Sequence, residues 1–91
     1  MDATITHLSD EQLFRTVVDS HPCELQYSWG ERSVSFDSVR VPDAVGGRGI
    51  ASRLTRHALE WARAQGLQVC PACPYVASWI RRHPDYADLV A

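Results

Sequence analysis

The chain has 91 residues, 45% apolar and 22% charged, and a formal net charge of −2, which describes one folded domain over 1–91 and excludes a disordered tail. The charge gives no electrostatic footprint for nucleic acid, and with no lysine present (all nine basic residues are arginine) Schiff-base and P-loop lysine chemistry are excluded. No apolar run approaches the roughly 18 residues of a membrane span, and the polar start Met1-Asp2-Ala3-Thr4 lacks a signal pattern, so a cytoplasmic protein without membrane association is expected.

Taken in chain order, His7 precedes the fold and Ser9-Asp10 is a polar lead-in. Leu13 to Val18 is β-branched and aromatic, a predicted strand, and Asp19-Ser20-His21-Pro22 a predicted turn. Cys23 to Trp29 alternates, with Cys23, Leu25, Tyr27 and Trp29 on one face. After Gly30-Glu31, Arg32 to Val41 alternates again, with Val34, Phe36, Ser38 and Arg40 on one side and Asp37, Val39 and Val41 on the other. These three segments predict an antiparallel meander. From Gly49 to Gln65 the spacing of Ile50, Leu54, Ala58, Trp61 and Ala62 predicts a helix, with Gly66 as its C-terminal glycine. Leu67 and Val69 predict a short strand; Pro74 opens a second helix that stops before Pro84, and Asp85 to Ala91 forms a short tail. Trp29, Trp61 and Trp79 read as core, and Tyr86 and Leu89 as pins for the tail. The expected fold is α/β (α+β): a mixed sheet in the order β-β-β-α-β-α, its strand–helix–strand part a right-handed parallel crossover. Periodicity does not say whether both helices lie on one face.

A strand running into glycines and then a helix makes an anion site. The first helical N–H groups have no acceptor inside the helix, and the helix dipole adds partial positive charge there. Gly46, Gly47 and Gly49 let the backbone approach a phosphate, and Arg48 and Arg53 add guanidinium groups suited to its oxygens. The bland alternative is a flexible turn before an amphipathic helix.

Val41-Pro42, followed after a short gap by Gly47-Arg48-Gly49-Ile50-Ala51-Ser52-Arg53-Leu54, resembles motif A of the GNAT N-acetyltransferase superfamily. In that motif a [Q/R]-x-x-G-x-[G/A] loop holds the pyrophosphate of coenzyme A through backbone N–H groups. Gly49 and Ala51 match its last two fixed positions; the first falls on Gly46, which lacks the family's Gln or Arg side chain. Cys73-Pro74-Tyr75-Val76 and the later His83-Pro84-Asp85-Tyr86 resemble a short GNAT-like family with a C-P-[FY]-V…H-P-x-Y pattern. The resemblance covers roughly Leu13 to Val90. It implies a truncated GNAT core with a V-shaped split between the last two strands. It further implies acetyl-CoA as co-substrate, contacts from Val41 and from Gly46 to Arg53, and transfer of acetyl to an unidentified amine.

The same resemblance marks Cys73 as the candidate catalytic residue. A thiol at a helix N-terminus is favoured as thiolate, so Cys73 suits a nucleophile or a proton donor to the departing thiol; a buried small hydrophobe is the structural alternative. Tyr75 is a weaker candidate as hydroxyl donor near the thioester, against core packing. Ser38 stands four residues before Pro42, where this short family commonly has a histidine, and serine does not accept a proton near neutral pH as imidazole does. That departure supports an alternative: a non-catalytic coenzyme A-binding or sensor module. Cys70-Pro71-Ala72-Cys73 also admits a remote thiol-redox reading. A zinc site needs about four ligands, and Cys70, Cys73 and His83 are too few, so no metal is expected. His57 reads as a surface residue and Arg81-Arg82 as a solvated face. The sequence is compatible with a monomer or a small homo-oligomer.

Overall fold

The computed structural model describes residues 4–90; Met1 to Ala3 of the polar start and Ala91 at the end of the tail lie outside the described residues. Five strands, β1 Thr6–Leu8, β2 Leu13–Val18, β3 His21–Gly30, β4 Ser33–Arg40 and β5 Gln68–Cys70, form one sheet in that spatial order. The first four pair antiparallel, and β5 joins β4 in parallel. Helix α1 (Ile50–Ala64) provides the crossover from β4 to β5, and α2 (Pro74–Arg82) follows β5. Two 3-10 turns, Asp43–Val45 and Pro84–Leu89, lie on either side of the helical part.

The α/β fold with its mixed sheet is as expected; several local readings are corrected. His7 is part of the fold, because β1 pairs with β2 through His7 opposite Phe14. The β2–β3 turn is only Asp19-Ser20, both at positive φ (49° and 67°), as a two-residue hairpin of the I′ kind requires. His21 and Pro22 therefore belong to β3. Proline is tolerated there because pairing with β4 begins only at Glu24 opposite Arg40. The tail is not irregular: Pro84–Leu89 is helical, and Val90 bridges in parallel to Val69 on the outer edge of β5.

A further correction concerns β4. Gln26 pairs with Ser38 but Tyr27 pairs with Phe36, so Asp37 is an extra residue, a β-bulge. The bulge moves the alternation by one. Val34 and Phe36 are fully buried, but beyond the bulge Val39 and Val41 pack against the core, and Ser38 and Arg40 are exposed. The apolar spacing 34, 36, 39, 41 contains this phase change.

Both helices share one face. Leu25, Phe36, Leu54, Leu59, Val76 and Trp79 belong to a single core cluster, and Trp79 Nε1–H donates to Ser52 Oγ of α1 at 2.8 Å. Helix α1 ends in a Schellman motif: Gly66 at φ 69°, its N–H donating to Arg63 O, and Leu67 N–H donating to Ala62 O. Helix α2 begins with Pro74 at its first position and ends where His83 Nδ1 bonds Trp79 O at 2.7 Å, with the imidazole stacked on Trp79. Trp79 is core as expected, whereas Trp29, at the end of β3, is 53% exposed and meets the half-buried Trp61 edge-on. Among the described residues no helix is long and apolar enough to cross a membrane.

Candidate functional site

The ladder between β4 and β5 runs only from Ser33–Gln68 to Ser35–Cys70. One further backbone bond, Cys73 N–H to Phe36 O at 2.8 Å, ties the start of α2 to β4. Beyond it the two segments part: β4 continues through Asp37 to Arg40 with β3 as its neighbour, while the other chain turns into α2. The bulge at Asp37 lies where the ladder ends. A bulge bends its strand and adds local twist, which carries β4 away from the chain after β5. Beyond Phe36 the edge of β4 that faces away from β3 has no strand partner, which leaves a slot between it and the start of α2; among the described residues no enclosed pocket forms.

The strand leads through Val41 into the glycine loop. Val45 N–H bonds Pro42 O and Gly46 N–H bonds Asp43 O, forming a tight 3-10 turn. Gly46 has φ −65° and ψ 158°, a conformation open to any residue. Gly47 and Gly49 sit at φ 80° and 74°, the left-handed region that favours glycine, and a Cβ at either would meet nothing within 4 Å. Open space beside bare backbone is what a close-lying phosphate requires. Helical bonding begins with Arg53 N–H to Gly49 O at 3.1 Å, so the N–H groups of Ile50, Ala51 and Ser52 precede the first helical acceptor. They sit at the positive end of a 15-residue helix.

Other predicted site residues take defined places. Arg48 extends sideways to Asp19 in the β2–β3 turn, Nη1 to Oδ2 2.7 Å, at an exposed position. The Ser52 hydroxyl accepts from Trp79, and the Ile50 side chain is buried. Cys73 is the N-cap of α2 and only 6% exposed. Tyr75, two residues on, is half-buried against the core. Ser38 is exposed, its hydroxyl donating to Gln26 Oε1 at 3.3 Å, opposite the helix-covered face. Cys70 is exposed; Cys23 and Cys73 are buried, and all three thiols are free. No group of three metal-ligating side chains gathers among the described residues. His57 is on the surface, with its ring beside Phe14.

Residues 13–89 match the GCN5-related N-acetyltransferase family, nearly the whole chain. The chain belongs to that family. Its curated relatives include Protein NATD1 of Homo sapiens, 34% identical over 55 residues that make up 60% of this chain and 49% of that protein. The Gallus gallus protein of the same name is also 34% identical over 55 residues, 50% of its length. The alignment thus spans about half the length of the curated relatives. The NMR solution structure of a GCN5-like protein from Staphylococcus aureus superposes with a TM-score of 0.78, covering 98% of this chain and 88% of that one at 22% identity. That likeness establishes the fold. Family membership makes the chain an N-acetyltransferase-like protein, and acetyl-CoA is the co-substrate normal to such a family.

Two features are not read from the sequence alone, one beside this site and one at the far edge of the sheet. Strict alternation groups Val39 and Val41 with Asp37, whereas the bulge returns both valines to the core side and leaves Asp37 exposed. His7 was left outside the fold although its Nε2 lies 2.7 Å from Tyr27 Oη and its ring stacks on Phe14 at 4.2 Å.

Proposed function

We propose that the slot between β4 and the start of α2 binds acetyl-CoA and that the protein transfers the acetyl group to an amine. The supporting observation is a juxtaposition: strands that part after Ser35–Cys70, beside a loop whose Gly47 and Gly49 leave bare backbone facing open space. In this reading the N–H groups of Gly47 to Ser52 hold the pyrophosphate, Arg48 and Arg53 supply charge, and β4 up to Val41 presents backbone groups to the pantetheine arm.

Transfer forms a C–N bond between the neutral amine and the thioester carbon. The C–S bond breaks with its electron pair going to sulfur, and the proton shed by nitrogen ends on the coenzyme A thiol. Cys73, tied to Phe36 O at the apex of the slot, is the candidate to pass that proton. Its near-burial keeps water from competing for the thiol. Tyr75 is the lesser candidate, through its hydroxyl. A second reading, a coenzyme A-binding module without catalysis, is favoured by one observation: the position of the family's histidine holds Ser38, engaged with Gln26.

A two-part experiment tests both. Coenzyme A should raise the melting temperature, since a ligand that binds only the folded state stabilises it by mass action. Radiolabelled acetyl-CoA with mixed amines should then label an acceptor, and Cys73→Ala should reduce the labelling rate. Binding without label on any amine or on the protein leaves the module reading. No thermal shift sinks both.

A further inference from the structure

We infer that Asp37 is the acceptor-recognition residue, its carboxylate binding the ammonium form of a cationic amine that arrives from the open face of the sheet and releases one proton to solvent before it attacks as the neutral amine. This rests on the acetyl-CoA reading of the slot and names the side and the charge of the second substrate. The helices cover one face, and the glycine loop opens at the N-terminus of α1. The opposite face carries short neutral side chains around the bulge: Gln26 and Ser28 of β3, Ser35 and Ser38 of β4. Asp37 stands among them, exposed, directly after Phe36, whose carbonyl accepts from Cys73 at the apex of the slot.

The carboxylate is oriented but not neutralised. Ser35 Oγ–H donates to Asp37 Oδ1 at 2.6 Å, which fixes the group and leaves Oδ2 available. Among the described residues Asp37 has no ion-pair partner. The other acids of the sheet region differ: Glu24 is bound to Arg15 at 2.6 Å and Asp19 to Arg48 at 2.7 Å. Arg40, the nearest cation along β4, stands opposite Glu24 instead. The other acids without an ion pair among the described residues, Asp10, Glu31, Asp43, Glu60 and Asp85, lie outside the strands, in turns, 3-10 segments or α1. A free carboxylate held by one hydrogen bond at a strand edge is suited to a charge-assisted bond with an ammonium group. Alternation from Phe36 turns position 37 to the open face, and the bulge leaves it without a partner residue on β3.

The test is a titration of the whole, amide-labelled protein followed by NMR, with spermidine in one arm and a short lysine-containing peptide in the other, and the same peptide with its lysine side chain acetylated as control. Wild type should show shifts centred on Ser35, Asp37 and Ser38 in at least one cationic arm, which also identifies a polyamine or a protein lysine as the source. Asp37→Asn should weaken that binding by about tenfold or more, with its spectrum otherwise native and the thermal shift by coenzyme A unchanged. Asp37→Glu should recover part of the affinity. In turnover, the amine KM should rise in Asp37→Asn with kcat nearly constant. Unchanged affinity in Asp37→Asn, shifts centred elsewhere, equal binding of the acetylated peptide, or no shifts in either arm would overturn the inference. A missing coenzyme A thermal shift would instead overturn the acetyl-CoA reading, and the amine titration would still decide the role of Asp37.

Discussion

Strand β4 changes character half-way along. From Ser33 to Phe36 it is held on both edges, by β3 on one and by β5 and the N–H of Cys73 on the other, and places Val34 and Phe36 in the core at 0% exposure. From Asp37 to Arg40 it is bonded to β3 alone, its other edge lines the slot, and its side chains are exposed or half-buried. One inserted residue separates the two. The difference teaches that structural and chemical roles share a single strand here, divided by a bulge rather than by a loop. Changes in the first half should therefore act on folding, and changes in the second half and the loop beyond it on ligands.

The largest effect is expected in the first half. Phe36→Ala removes a fully buried ring and should cost about 3–5 kcal/mol, a large share of the roughly 5–15 kcal/mol that holds an ordinary domain. Denaturant unfolding measures it. Asp37→Asn, one residue later, should change stability by no more than about 0.5 kcal/mol. Similar losses at both positions would break the division of β4.

The glycine loop provides the next contrast. Gly49→Ala places a side chain at φ 74° and should destabilise by about 1–2 kcal/mol through backbone strain alone, since the added Cβ meets nothing. The same methyl group intrudes on the space assigned to the pyrophosphate, so the midpoint of coenzyme A binding should rise as well. Gly46→Ala, at φ −65° and with its nearest neighbour Asp43 O at an ordinary 3.4 Å, should lose nothing and gain up to about 1 kcal/mol from a restricted unfolded chain. Paired melting and binding curves for the two variants separate strain from contact.

A smaller effect concerns the far end of the sheet, remote from the slot. His7 stacks on Phe14, meets Trp61 edge-on and bonds Tyr27 Oη. Burial holds its imidazole below the ordinary 6.5, and the nearby His57 adds to this. The unfolded chain thus binds a proton more readily than the folded one. The stability linked to His7 is fully present above pH 6.5 and is lost as pH falls from there toward the depressed folded value. Denaturant midpoints at pH 7.5 and 5.5 should fall less for His7→Phe than for wild type, while coenzyme A binding at the distant slot keeps its wild-type pH dependence.

These contrasts also explain what could be read from the amino-acid order. The helices and the glycine loop were legible because their signals are local: a 3.6-residue spacing, a proline at one start, glycines at positive φ. Strand β1 was not, since Thr6–Leu8 has three residues and is held by pairing with β2 rather than by any pattern of its own. The turn at Asp19-Ser20 is marked by its residues, but Pro22 is a turn marker as well, so the start of β3 reads two residues late. The bulge was written in the spacing of Val34, Phe36, Val39 and Val41, but strict alternation was the simpler reading. Strict alternation puts Asp37 on the side away from Phe36, where the structure has it, but it puts Val39 and Val41 there as well, although both pack against the core.

The smallest expected effect tests whether the glycine loop is fully prepared for an anion. Arg48 is held away by Asp19, an exposed pair worth about 0.2–1 kcal/mol in the free protein. If the guanidinium is to serve a phosphate, it must leave that carboxylate, and the pair sets a small opposing term on binding. Asp19→Asn removes the competitor and leaves the side chain length unchanged. Coenzyme A affinity should then rise by a factor of about two to five, the equivalent of the pair energy, with a stability loss no larger than the same energy. Arg48→Ala should lower affinity, and the double variant should match Arg48→Ala alone, because Asp19 acts only through Arg48. An affinity gain in Asp19→Asn that persists without Arg48 would mean the turn carboxylate repels the phosphate directly, and the loop would then be set by backbone N–H groups with no arginine assistance.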